Sequence, residues 1–206
     1  MRSESKAINR LTDVKSKVSS HYFIRRDGSI ILMVPELYEA WHAGKSNWKK
    51  DKSLNKNSIG IEVSNKGHQF GYQNFTKKQI NSLIKLSKYL IKKYNIKKTN
   101  ILGHSDIAYE RKKDPGEKFP WKFLAKKNIG VWHKLKSNEC KKNRNKKISE
   151  DDTVFFNKLK KFGYKIEGLD KKGQKKLIKN FQRRFRPELV NGKIDLECFE
   201  ILNSLI

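Results

Sequence analysis

The sequence predicts a mixed α/β domain followed by a small C-terminal bundle of three helices. Three features lead there. Two apolar runs flank Asp27-Gly28, a long helical pattern over 76–95 lies between short strand-like runs, and beyond an apolar-poor stretch at 134–152 phenylalanines recur at helical spacing. A length of 206 residues suits one domain plus an appendage, since single domains usually run to roughly 100–200 residues.

Taken in order, Ser5 to Leu11 can form a short helix with Ala7, Ile8 and Leu11 on one side. His21 to Val34 reads as a hairpin in which HYFIRR and SIILMV are joined at Asp27-Gly28, a pair suited to a type I′ turn. Residues 35–57 form an irregular loop containing AWHAG, and Ile59 to Val63 reads as a short buried strand. Thr76 to Asn95 is the clearest helix, because Thr76 and Gln79 form a capping box and Ile80, Leu83, Ile84, Ser87, Leu90, Ile91 and Tyr94 share one face. Asn100 to Gly103 reads as another strand that delivers His104 to its end. The segment 134–152 has the charge and low apolar content of a linker, which divides a domain over 1–133 from a helical domain over 153–206. Within the latter, Phe155, Phe156, Leu159 and Phe162 form a helix stopped by Gly163, and Gln174–Phe185 and Leu196–Ile206 form two more.

Composition supports a folded chain, since 36% hydrophobic and 11% aromatic residues are more than a disordered basic tail carries. The 48 Lys and Arg against 21 Asp and Glu leave +27, which attracts any polyanion. The lysines are spread along the whole chain and no nucleic-acid-binding motif accompanies them, so specific nucleic-acid recognition is not expected. Cys140 and Cys198 are far apart and fit neither a disulfide framework nor a thiolate zinc cluster. No apolar stretch approaches the ~20 residues of a membrane span.

The most informative window is GHSDIAYERKKDPGEKFPW, residues 103–121. His104 is followed ten residues later by Asp114 on a rigid Asp-Pro-Gly turn, a nitrogen and an oxygen donor of the kinds zinc accepts. On spacing alone, a structural role for both remains the commoner outcome for such residues.

Ordered along the chain, VSSHYFIRRDGSI, MVPELYEAWHAG, NKNSIGIEVSN, the long helix, GHSDIA, RKKDPG and FPW together resemble the type 2 N-acetylmuramoyl-L-alanine amidases. That family is similar in fold to peptidoglycan recognition proteins and phage amidase lysozymes, and the resemblance runs from about Ser5 to Trp132. It implies a mixed central sheet flanked by helices. By position it implies His104 and Asp114 as Zn2+ ligands, Glu62 as the acidic residue that handles the attacking water, and Lys112, with Arg111 and Lys113 as alternatives, as the basic residue beside the metal. His42 would line the substrate groove or brace its loop, and Trp41 would form groove wall or core. His21 reads as a structural histidine, and His133 as a surface one. The reaction implied is zinc-dependent hydrolysis of the amide between N-acetylmuramic acid and L-alanine, in peptidoglycan or its muropeptide fragments.

The sequence departs from the family in one respect. The remaining zinc ligand is a histidine on a strand just before the first helix, in a run that would fall immediately upstream of Met1, so the chain reads as truncated relative to the family. Two donors hold zinc more weakly than three, and neither His21 nor His42 occupies the family's ligand position. The alternative function is therefore a catalytically impaired peptidoglycan-binding protein. Residues 153–206 resemble the three-helix peptidoglycan-binding domain through LKKFGYKIEG, NFQRRFRPELVNGKID and CFEILNSLI. That pairing favours the periplasm or cell envelope, with the cytoplasm as the alternative, and a monomer is expected.

Overall fold

The structure is a computed structural model and describes residues 3–206. It divides into two compact units, one made of the residues up to Ser46 with Lys52–Lys97, the other of Asn47–Asp51 with Lys98–Ile206.

In the first unit, helix α1 (Glu4–Thr12) buries Ala7, and strands β1 (Tyr22–Ile24), β2 (Ile30–Leu32) and β5 (Ile61–Val63) form a mixed sheet in the order β2-β1-β5. β1 pairs antiparallel with β2 and parallel with β5, with Phe23 opposite both Ile31 and Glu62. Phe23 and Ile24 are fully buried. Helix α2 (Lys77–Tyr94) packs against β1, and its N-terminus carries the expected capping box: Thr76 Oγ1 accepts from the Gln79 N–H, and Gln79 Oε1 accepts from the Thr76 N–H, each at 3.0 Å. The same Gln79 donates to Ser64 O at 2.8 Å, and Ser82 donates to Gly28 O at 2.5 Å, so the helix is fastened to both the strand end and the hairpin turn.

The hairpin is present but its turn differs from the expected type I′. Arg25 N–H donates to Ser29 O and Gly28 N–H to Arg25 O, and only Gly28 takes a positive φ (+89°). This is a three-residue loop closed by a glycine in the left-handed region. Asp27 Oδ1 accepts from both the backbone and the hydroxyl of Ser29, which holds Asp27 in an Asx turn at negative φ. β5 also differs from the buried strand expected at 59–63: it is a sheet edge, half-buried, with Glu62 exposed.

A polar clamp joins β1, the loop after β2 and the end of α2. Glu36 accepts from Lys93 Nζ at 2.7 Å, from the Tyr94 hydroxyl at 2.5 Å and from the Tyr22 hydroxyl. Burial acts to raise the Glu36 carboxyl, but those three donors outweigh it and bring it down to about 2. A depressed carboxyl contributes stability that is full above its unfolded value, near 4.3, and is lost as pH falls through the folded value. Glu36→Gln should lower stability at neutral pH by about 2 kcal/mol, since hydrogen bonds to a charged group are worth about 1.5–3 kcal/mol. The gap between variant and parent should close between about pH 4.5 and pH 2, as thermal melts across that range would measure.

The second unit begins with the short β3 (Asn47–Trp48), followed in the chain by β4 (Asp51–Lys52), and the Trp48 ring meets Tyr164 and Phe162 edge-on at centroid distances of 5.2 and 5.8 Å. Helices α3 (His104–Ala108), α4 (Trp121–Lys126) and α5 (Ser137–Asn143) precede α6 (Asp152–Phe162), α7 (Lys171–Phe185) and α8 (Leu196–Asn203). α7 packs on α3 and α4, and α8 on α5 and α6. Phe155, Leu159, Leu177, Phe181, Phe185 and Ile201 form the fully buried centre, which is the apolar spacing of the three C-terminal helices turned inward. The apolar-poor stretch 134–152 contains α5, where Cys140 is buried. The segment 101–103 is not the strand expected at 100–103, and His104 opens a helix instead of ending a strand. No helix among the described residues is long and apolar enough to cross a membrane.

Candidate metal and catalytic site

His104 is the first residue of α3, and the loop that returns past it is tied down by backbone hydrogen bonds. The Ser105 N–H donates to Asp114 O at 2.9 Å, and the Lys112 N–H to Ala108 O at 2.9 Å. The result brings His104 Nδ1 to 3.0 Å from Asp114 Oδ2. Asp114 has a lowered pKa: desolvation, the largest single influence, pushes it up, but the His104 hydrogen bond and the charges of His104 and Lys112 together outweigh it. Lys112 is half-buried, while Arg111 and Lys113 are exposed, which favours Lys112 as the cation near the pair.

The donors suit zinc in type and spacing. Two ligand atoms about 2.0–2.1 Å from a tetrahedral zinc stand roughly 3.3 Å apart, so the observed pair needs to open only slightly, with the metal replacing the shared proton. Among the described residues no group of three His, Cys, Asp or Glu side chains converges in a way that could hold a metal ion. The pair therefore fits two positions of a coordination sphere whose catalytic form uses three protein ligands and an open site.

Glu62, Trp41, His42 and His21 lie in the first unit. Glu62 stands exposed on β5, and Trp41 is 47% exposed on its loop. His42 contacts Ala40 O through Nδ1 at 2.9 Å and Ser58 Oγ through Nε2 at 3.0 Å. His21 is buried, with Nδ1 accepting from the Gly60 N–H at 3.0 Å and Nε2 therefore carrying the hydrogen donated to Tyr38 O at 3.1 Å. Both His21 nitrogens are engaged by backbone, as a structural histidine requires. His133 is half-buried, not the surface residue expected, and burial lowers its pKa.

Sequence reasoning missed Asp106. It lies two residues past His104 and is buried, and its Oδ2 accepts the Gly103 N–H at 2.7 Å. An acidic residue at the third position of a helix is a recognisable capping signal, and it stood in the quoted motif GHSDIA.

A family model for N-acetylmuramoyl-L-alanine amidase matches residues 1–117. The Escherichia coli K12 N-acetylmuramoyl-L-alanine amidase AmiD is 38% identical over 210 aligned residues, covering 95% of this chain and 75% of that protein. The 1,6-anhydro-N-acetylmuramyl-L-alanine amidase AmpD of the same organism is 40% identical over 105 residues, covering 51% of this chain and 55% of its own length. Among solved structures, E. coli AmiD in complex with the substrate anhydro-N-acetylmuramic acid-L-Ala-D-gamma-Glu-L-Lys superposes with a TM-score of 0.86 at 35% identity, covering 98% of this chain and 83% of that one. AmpDh3 from Pseudomonas aeruginosa, in complex with anhydromuramic pentapeptide, superposes with a TM-score of 0.87 at 31% identity over 98% and 86% of the two chains. The shared mixed sheet with flanking helices and further C-terminal helices, the match over more than half of the chain and the near full-length relative lead to one conclusion: the chain belongs to the N-acetylmuramoyl-L-alanine amidases, a family of peptidoglycan amide hydrolases.

Proposed function

We propose that this chain recognises peptidoglycan or its muropeptide fragments as a monomer, and that its hydrolysis of the amide between N-acetylmuramic acid and L-alanine is impaired. The observation that carries this reading is the His104–Asp114 pair, which offers zinc two donors with no third converging among the described residues. When bound, zinc supplies an acidified water and polarises the scissile carbonyl. Glu62 would take the water's proton and return it to the departing amine, the task of a carboxylate that can be reached by both. Lys112 would stabilise the oxyanion that develops on the carbonyl, and Trp41 and His42 would line the groove. Residues 153–206 would act as a wall-binding module, raising the effective concentration of an insoluble substrate, which suits a periplasmic or envelope location.

A second reading, full zinc-dependent amidase activity, is favoured by the alignment of 95% of the chain with AmiD. Two measurements separate them: cosedimentation with insoluble peptidoglycan, and mass spectrometry of muropeptides incubated with zinc, with a chelator, and with Glu62→Ala. The expected result is cosedimentation, with stem-peptide release at least about 100-fold slower than by E. coli AmiD, because weakly held zinc withdraws several kcal/mol of transition-state stabilisation that a bound metal supplies. Release at the AmiD rate that a chelator and Glu62→Ala both abolish would establish the second reading. Failure to cosediment together with no stem-peptide release would overturn both.

A further inference from the structure

Asp106 accepts four donors, which is the full capacity of a carboxylate. Oδ2 takes the Gly103 N–H at 2.7 Å and Arg184 NH1; Oδ1 takes the Tyr164 hydroxyl at 2.8 Å and Asn180 Nδ2 at 3.2 Å. All four side chains are at least 97% buried. Three of these donors come from far along the sequence: Tyr164 follows α6, and Asn180 and Arg184 lie on α7. Arg184 is fixed in turn, donating to Ile101 O at 3.0 Å and stacking over the Trp121 ring at 4.2 Å.

The backbone that Asp106 and Arg184 hold, Ile101 and Gly103, is the segment leading into His104. Asp106 N–H also donates to Gly103 O at 3.0 Å, so the one residue grips Gly103 from both sides. A buried ion pair is a weak source of stability, because apolar side chains of equal volume do as well or better. A carboxylate whose acceptor sites are all filled fixes geometry, since any displacement breaks several of its hydrogen bonds at once. Here the geometry fixed is the start of α3 and hence the direction of the His104 ring.

We propose that Asp106 is a positioning residue for His104, and that Tyr164, Asn180 and Arg184 make the C-terminal helices part of the scaffold of the metal-binding loop. The zinc half of this inference rests on the reading of His104 as a metal ligand. Outer residues that orient a ligand typically change metal affinity about 10–100-fold when mutated.

The test compares the 206-residue chain with Asp106→Asn, Tyr164→Phe and Asp114→Ala by nitrogen-15 imidazole NMR, first without metal and then through a zinc titration, with thermal melts alongside. Tyr164→Phe removes one hydroxyl and guards against a fold-disrupting effect of the first variant. The expected result is that both network variants shift the metal-free His104 signals and weaken zinc binding, by about 10–100-fold for Asp106→Asn and less for Tyr164→Phe, while melting stays cooperative. Unchanged His104 signals and affinity in both, with lowered melting temperature only, would overturn the proposal in favour of a purely structural network. If the parent and Asp114→Ala alike fail to bind zinc while Asp106→Asn still shifts the His104 signals, positioning stands and the metal reading falls.

Discussion

Arg186→Met should destabilise the second unit by about 3–5 kcal/mol, the usual consequence of removing one partner from a buried ion pair. Arg186 closes α7 as its C-cap residue and has no solvent exposure. Its NH1 lies 2.5 Å from Asp195 Oδ2 and 3.3 Å from Glu197 Oε2, and Glu197 is gripped from the other side by Arg144 through two bonds of 2.7 Å. Two cations thus balance two buried carboxylates, and the variant leaves a net negative charge in the interior. Asp195 also caps α8 by accepting the Cys198 N–H at 3.0 Å and holds the Asn145 N–H at 3.0 Å, so its displacement would loosen three segments together. The loss should appear in denaturant unfolding followed by tryptophan fluorescence, because Trp132 packs against Phe185 at 6.0 Å in the same unit. Adding Asp195→Asn to the variant should recover part of the loss by removing the uncompensated charge, and lowering the pH toward carboxylate protonation should narrow the gap to the parent. A loss below about 1 kcal/mol would mean that the cluster is not held as a charge-balanced unit.

That cluster was not legible in the sequence, and the reason is distance along the chain. The stretch 134–152 reads as a linker because its apolar content is low, yet Arg144 finds Glu197 across 53 positions and Lys146 O accepts the Leu196 N–H. Composition records the charges but not their partners. Local signals fared better: α2 was legible from both its cap and its apolar stripe, which agree on the same boundaries. The hairpin was legible in its strands and misread in its turn, because Asp-Gly suits two loop lengths and the Asx hydrogen bond to Ser29 selects the longer one. The segment before His104 has the apolar character of a strand, but among the described residues no strand pairs with it, and Asp106 captures its terminal N–H. At the site, the family resemblance singled out His104 and Asp114, which the structure brings to 3.0 Å of each other. The support beneath it stayed hidden, since Tyr164, Asn180 and Arg184 lie 58, 74 and 78 positions from Asp106.

Gly103→Ala should damage stability and the donor pair together. The backbone at Gly103 is ordinary, with φ −81° and ψ 156°, so the glycine is required for room. A Cβ there would stand 2.6 Å from Pro115 Cδ and 3.4 Å from both Asp106 Oδ2 and the Trp121 ring. A comparable overlap exists at Gly60, whose Cβ would meet the His42 ring at 2.3 Å, but that neighbour is a side chain with rotatable bonds. Pro115 has no such freedom, because its ring is part of the backbone that carries Asp114. Relief must therefore come from moving the Asp114-Pro115 turn away from α3, which widens the 3.0 Å separation of His104 Nδ1 and Asp114 Oδ2, or from displacing Asp106 and Trp121 beneath it. Overpacking of this kind costs about 1–3 kcal/mol, and a misplaced donor should weaken zinc binding by about tenfold or more. Thermal melting and the zinc titration of the His104 signals read the two effects separately. A stable variant with parental zinc affinity would mean that the turn relaxes without disturbing the pair, and that the close approach of Gly103 to Pro115 sets packing alone.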